Sequence, residues 1–75
     1  MLTLDQLSPG HRAVVTALNL DSEISRRLAV FGLTLGKAIC IKHAAPLGGP
    51  LVLSIGSTSL LLRRTLAQAI QVKAA

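Results

Sequence analysis

Aromatic residues are almost absent from this sequence, which has one phenylalanine, no tyrosine and no tryptophan. Proteins that bind single-stranded nucleic acid stack bases on aromatic rings, so the scarcity argues against that function. Hydrophobic residues nevertheless make up 51% of the 75 residues. A core without rings must be filled by branched aliphatic side chains, and these suit the interior of a small β-barrel.

Cysteine and acidic residues are also scarce. The single cysteine, Cys40, leaves no partner for an intrachain disulfide, which agrees with a cytosolic protein. Three acidic residues face eight lysines and arginines, and the net charge is +5. The basic residues are dispersed, and the commonest role of such charge is to keep a very apolar domain soluble. An acidic protein partner, nucleic acid or an anionic membrane surface would also attract it.

Long apolar runs and catalytic motifs are missing. No run approaches the roughly 18 residues of a membrane-spanning helix, because basic residues interrupt every candidate. The first ten residues have neither a basic start nor an apolar core segment and do not read as a signal peptide, so we expect a cytoplasmic protein. No Ser-His-Asp spacing, paired carboxylates or phosphate-binding glycine loop occurs, which predicts that the protein is not an enzyme.

Two histidines and the cysteine are the candidates for metal binding. On a regular strand, the spacing of Cys40 and His43 puts them on opposite faces, so they cannot hold one ion unless the strand is broken there. His11 follows a turn, where exposure is expected. The sequence predicts no required cofactor, but weak and adventitious binding of a divalent transition metal at His11 or His43.

The hydrophobic pattern predicts a mainly β fold, a small barrel formed by residues 1–75 as a single domain. A short helical turn is expected at residues 3–7, another at 64–69, and a frayed tail at 73–75. Strict alternation places Val15 with Ala17 on one face of the first strand, and Ile41 with His43 on one face of the second. The strands are predicted at 12–18, 37–44, 51–56, 59–63 and 70–72.

The clearest helix signal follows the first strand. Asp21 or Ser22 is placed to cap its start, and Gly32 to end it. Apolar residues recur at helical spacing and predict a stripe facing the core: Ile24, Leu28 and Phe31. Two basic residues lie off that stripe, facing solvent or a partner: Arg26 and Arg27.

The segment "PLGGP" predicts a stiff loop. Pro46 and Pro50 fix backbone φ and cannot donate to a β-ladder, while Gly48 and Gly49 permit sharp turning. Leu47 lies between them with little nearby to bury it. Either Leu47 folds back over the barrel mouth, or it forms a preorganised apolar tip that docks into a partner.

Paired arginines stand at the end of the fourth predicted strand, and consecutive residues leave a strand on different faces. One of Arg63 and Arg64 is expected to pack its stem along the barrel while the other meets acidic residues of a partner. The predicted partner-binding residues are Pro46, Leu47, Gly48, Arg26, Arg27 and Arg64.

Four segments resemble the FeoA family: "LSPG", "RRLAVFGLTLG", "AAPLGGPLVLSI" and "LLLRRTLAQAIQV". FeoA is the small cytosolic accessory protein of bacterial ferrous iron transport, and a related domain ends iron-dependent repressors. The resemblance implies an SH3-like barrel with a helix inserted after the first strand. The family loop usually reads Pro-Leu-Gly-Asp-Pro, and Gly49 replaces the aspartate here. Because no winged helix precedes the barrel in this sequence, we expect a free-standing FeoA.

The resemblance also implies a partner, the FeoB membrane transporter with its cytosolic GTPase domain. The predicted function is therefore accessory or regulatory: a protein-interaction module that docks on FeoB, is peripheral to the membrane through this partner, and does not bind nucleic acid. The alternative is a free-standing regulatory barrel that binds a transition metal or nucleic acid. Apolar residues on strand edges would also permit self-association.

Overall fold

A computed structural model describes residues 2–75 of the chain. A helix is inserted between the first two strands and a single helical turn precedes the last strand, which confirms the predicted mainly β fold. The elements are a 3-10 turn at Leu4–Gln6, β1 at Arg12–Leu18, α1 at Ser22–Val30, β2 at Ala38–Ala44, β3 at Leu51–Ile55, β4 at Thr58–Leu62, α2 at Arg64–Ala67 and β5 at Ile70–Ala74.

The five strands form one antiparallel sheet in the order β4-β3-β2-β1-β5. The N-terminal segment covers the outer side of β5, where Thr3 forms a bridge with Gln71 and the Val72 N–H donates to the Leu2 carbonyl at 2.9 Å. The predicted frayed tail is wrong at Lys73 and Ala74, because both pair with β1. No helix described in residues 2–75 is long and apolar enough to cross a membrane.

The core is aliphatic, as the composition predicted. Every strand contributes inward side chains, and α1 contributes Leu28. No polar or charged residue among residues 2–75 is buried. The fully buried side chains of largest volume are Leu4, Leu33, Ile41, Leu51, Leu53, Leu62, Ile70 and Val15.

Helix α1 begins and ends where the sequence predicted. The Asp21 carboxylate accepts from the Ile24 N–H at 2.9 Å, and Gly32 follows the helix at φ +93°. The N–H groups of Gly32 and Leu33 donate to the carbonyls of Ala29 and Leu28, which is a Schellman ending.

The predicted core position of Phe31 is wrong. It is the C-cap residue of α1 and is 47% exposed, whereas Leu33, which the left-handed turn at Gly32 directs inward, is fully buried. The chain reverses at the helix end, so the helical spacing no longer determines which side chains face the core.

Two β-bulges break the alternation that the sequence suggested. In β1, the pairing shifts between Val15 and Ala17, so Leu18 pairs with the buried Ile70 and Ala17 turns outward. In β2, it shifts between Ile41 and His43, and the extra residue is Lys42. The predicted common face of Val15 with Ala17, and of Ile41 with His43, is therefore wrong, because one extra residue exchanges the two faces of a strand.

Candidate functional site

The loop joining β2 to β3 ends in a tight turn. The Ala45 N–H donates to the Pro50 carbonyl at 3.0 Å, and the Gly49 N–H donates to the Pro46 carbonyl at 3.2 Å. The two residues between them, Leu47 and Gly48, have φ angles of +59° and +74°. Positive φ at both central positions is the requirement of a type I′ turn.

Leu47 is the unusual residue of this turn. It is the non-glycine residue with positive φ in residues 2–75, and its side chain is fully exposed. A left-handed conformation costs an ordinary L-residue about 1–2 kcal/mol. The side chain recovers none of this cost by burial, and it projects from the loop instead of folding back over the barrel.

Arg64 fixes the loop to the rest of the barrel. Its guanidinium donates to the carbonyl oxygens of Gly49 at 3.0 Å, Asp5 at 3.2 Å and Ala45 at 3.4 Å. Hydrogen bonds from a charged donor are stronger than neutral ones, and the planar fork limits their directions. Arg64, expected among the partner contacts, thus uses its donors within the chain and positions the loop.

Arg63 is the exposed member of the arginine pair. It lines two adjoining depressions on the surface, one of about 560 Å³ beside α1 and one of about 450 Å³ beside the Gly48–Pro50 segment. The depressions also share Leu61, which is 66% exposed, and Thr65. They form one groove that runs from α1 to the base of the loop.

The two arginines of α1 are both exposed, as predicted. Arg27 lines the groove and forms an ion pair with Glu23 at 3.2 Å, one helical turn away. With both side chains about three-quarters exposed, such a pair contributes little to stability. Arg26 does not line the groove.

The candidate metal ligands do not converge. In residues 2–75, no three side chains among histidine, cysteine, aspartate and glutamate come together. His11 is exposed, and its Nδ1 accepts from the Ser8 N–H at 3.2 Å. The bulge in β2 corrects one expectation: Cys40 pairs with Ser54 and His43 with Val52, so Cys40 and His43 lie on the same, outer face.

The sequence pattern predicted the turn residues of the loop, but it did not predict the groove. The sequence pattern places Leu61 in a strand, Phe31 in the predicted core and Thr65 in a helical turn, so it does not bring these three lining residues together. The sequence feature that could have indicated the groove is the apolar Leu61 at an outward position of an end strand, two positions before Arg63. Which strand lies at the end of the sheet, however, is not a local property.

The family model of the FeoA domain matches residues 2–74. Comparison with curated proteins gives no match.

Among solved structures, the chain is similar to the FeoA protein from Chlorobium tepidum, with 33% identity and a TM-score of 0.90 over 97% of this chain and 70% of that one. It is similar to iron(II) transport protein A from Clostridium thermocellum, with 34% identity and a TM-score of 0.91 over 99% of this chain and 46% of that one.

A third similar structure is FeoA from Stenotrophomonas maltophilia complexed with zinc, at 30% identity and a TM-score of 0.79 over 97% of this chain and 91% of that one. It is described as a prokaryotic SH3 domain protein, with a role suggested as a ferrous iron transport activating factor. The match of the family model along the described barrel, together with these relatives, shows that the chain belongs to the FeoA family.

Proposed function

We propose that the chain is an accessory protein of bacterial ferrous iron uptake, and that it acts in the cytoplasm by docking on the cytosolic part of the FeoB transporter. Membership of the FeoA family and the iron transport roles named for its relatives support the process. The proposed activity is binding and not catalysis, in keeping with the transport activating role suggested for a relative.

The observation that carries the docking proposal is the conformation of Leu47. A fully exposed leucine at φ +59° lowers the stability of the protein and gains nothing from burial. Strained and exposed residues of this kind persist where the surrounding structure holds them and where they serve a function. We infer that Leu47 is an anchor for a pocket on the partner.

The loop is built to present this anchor at low entropic cost. Pro46 and Pro50 restrict the backbone on both sides, and Arg64 hydrogen-bonds the carbonyls of Ala45 and Gly49. Since binding does not have to order the loop, more of the energy from burying the leucine appears as affinity. In the proposal Pro46, Gly48 and Arg64 shape the tip, and Arg26 and Arg27 attract acidic residues of FeoB.

The experiment is an NMR titration of isotopically labelled protein with the cytosolic part of its FeoB, at two salt concentrations and with and without guanine nucleotide. Shifts are expected at the loop and along α1. Leu47→Asn should weaken binding about tenfold or more, in line with the apolar area that a buried leucine removes from water.

Leu35→Asn is the matched control, because Leu35 is 64% exposed and lies outside the loop and the groove. It should bind as the unmodified protein does. Equal affinities for the Leu47→Asn and Leu35→Asn proteins would remove Leu47 from the interface, and no binding of FeoB at high concentration would contradict the proposed function.

A further inference from the structure

The outer edge of β4 is open. Strands β3 and β4 are joined by a two-residue turn, Gly56 and Ser57, and Ile55 pairs with Thr58. Gly56 has φ +60° and Ser57 does not have positive φ, the pattern of a type II′ hairpin turn. In such a hairpin the closing pair is hydrogen-bonded, and hydrogen-bonded pairs then alternate along the ladder.

This alternation determines which backbone N–H and carbonyl groups of β4 point toward β3 and which point away from it. Thr58, Leu60 and Leu62 exchange hydrogen bonds with β3, while Ser59 and Leu61 turn their N–H and carbonyl groups away from it. Neither residue has another backbone or side-chain hydrogen-bond partner among residues 2–75. At the opposite end of the sheet, the N-terminal segment covers β5. An unpaired edge is a template for one more strand.

The groove beside this edge has an apolar floor. Helix α1 lies across the groove from β4 and leaves a cavity of about 560 Å³ between them. Leu28, Leu60 and Leu62 are buried below it, so a chain placed against β4 would meet apolar surface on its inner side. Ile24, Phe31 and Leu66 complete its apolar lining.

The groove is positively charged, and this charge favours an acidic segment as its occupant. Arg27 and Arg63 line the main cavity, Arg63 and Arg64 line its extension toward the loop, and no acidic side chain lines either part. Glu23 pairs with Arg27 and is itself about three-quarters exposed. An incoming chain that carries carboxylates is therefore favoured over a neutral or basic one.

We propose that the outer edge of β4 binds an extended acidic segment of the partner by strand addition, using the backbone groups of Ser59 and Leu61. The segment needs about four residues to span these two positions. A residue directly opposite another shares its face, so the one opposite Leu60 points into the groove and is apolar. Its neighbours lie opposite Ser59 and Leu61 and point outward with Leu61, which lines the groove together with Arg63.

A second copy of the chain fits this edge less well. It would add its own net charge of +5 to a groove already lined by arginines. Its three acidic residues, Asp5, Asp21 and Glu23, all lie outside β4, so none would enter the groove with that strand. The complementary charge has to come from a different protein.

The inference rests on the proposed function only for the identity of the partner, the cytosolic part of FeoB. Its test is amide hydrogen exchange followed by NMR, with and without that partner, in the full chain. Binding should slow the exchange of the Ser59 and Leu61 amides at least about tenfold, because they gain acceptors. The amide of Leu60, already bonded to β3, should change less.

Leu61→Pro removes an outward donor and leaves the ladder with β3 intact, since proline is tolerated where the N–H faces away from the sheet. Leu61→Thr is the matched control, because it also removes the leucine side chain but keeps the N–H. The proline variant should bind the partner at least about tenfold more weakly than the threonine variant. If the proline variant fails to fold, the exchange rates of the Ser59 and Leu61 amides in the unmodified protein still test strand addition.

Three results would overturn the inference. Partner binding that depends on Leu47 but leaves the exchange of Ser59 and Leu61 unchanged would refute strand addition and leave the proposed function standing. Doubling of the mass in solution, with protection of both amides in the absence of a partner, would assign the edge to a second copy. If FeoB does not bind, the proposed function fails, and a Glu-Val-Glu-Val-Glu-Val peptide then decides: protection of the two amides supports the inference, and its absence refutes it.

Discussion

Replacing Leu47 by asparagine should stabilise the protein while it weakens partner binding. Asparagine adopts the left-handed conformation far more readily than leucine, because its short side chain can hydrogen-bond locally. The leucine side chain is fully exposed, so its removal loses no burial energy. Relief of the strain at φ +59° is therefore the dominant change in the folded state.

The magnitude follows from these two facts. A left-handed L-residue costs about 1–2 kcal/mol, and asparagine relieves about half of this, so the free energy of unfolding should rise by about 0.5–1 kcal/mol. For a domain of this size, 1 kcal/mol corresponds to about 4–8 °C in Tm. A rise of about 2–8 °C is expected.

Thermal and urea unfolding of three variants isolates the cause. Leu47→Ala removes the same apolar group but keeps a Cβ at positive φ, so its Tm should stay close to that of the unmodified protein. Leu35→Asn introduces the same residue where φ is not positive and should give no gain. If Leu47→Asn is no more stable than Leu47→Ala, then Leu47 is not strained, and the argument that its strain is retained for binding fails.

Four further predictions concern the loop, the groove and the candidate metal ligands. Gly49→Asp, which restores the usual family residue, should lower stability by about 1–3 kcal/mol, because a Cβ there would lie 2.7 Å from the Ala45 Cβ. Ala45→Gly should recover part of that loss in a double-mutant cycle measured by urea unfolding. Arg64→Lys should lower the free energy of unfolding by about 1–3 kcal/mol, because an ammonium cannot reproduce the three hydrogen bonds of the guanidinium. Thermal unfolding that shows no loss of stability would contradict the role of Arg64 in fixing the loop. Arg27→Glu should slow association with FeoB most at low salt in stopped-flow measurements, and a salt-independent effect would exclude electrostatic steering. Zinc titration followed by NMR should shift the signals of His11 and His43 only above micromolar metal, and tight one-to-one binding would contradict weak, adventitious binding.

Local chemistry was enough to place the elements. The carboxylate of Asp21 and the left-handed turn at Gly32 define the ends of α1 from sequence alone, because capping depends on residues a few positions apart. The prolines and glycines of the β2–β3 loop likewise predicted a stiff turn with Leu47 at its tip. The FeoA resemblance then supplied the topology, and the family model agrees with it over residues 2–74.

The faces of the strands could not be predicted in the same way. Alternation is a local rule, but the bulges at the middle of β1 and at Lys42 are determined by how each strand pairs with its neighbours. The position of His43 depends on such a bulge. For the same reason the sequence could not say that Cys40 and His43 share a face.

The sequence by itself determined the aliphatic core, the helix with its caps, the stiff loop and the excess of positive charge. Only the tertiary structure decided that Arg64 turns inward to hold the loop while Arg63 faces the groove, and that β4 ends the sheet with Ser59 and Leu61 unpaired. The physical reason is the range of the interactions: caps and turns join residues a few positions apart, whereas the contact between Arg64 and Asp5 spans 59 residues.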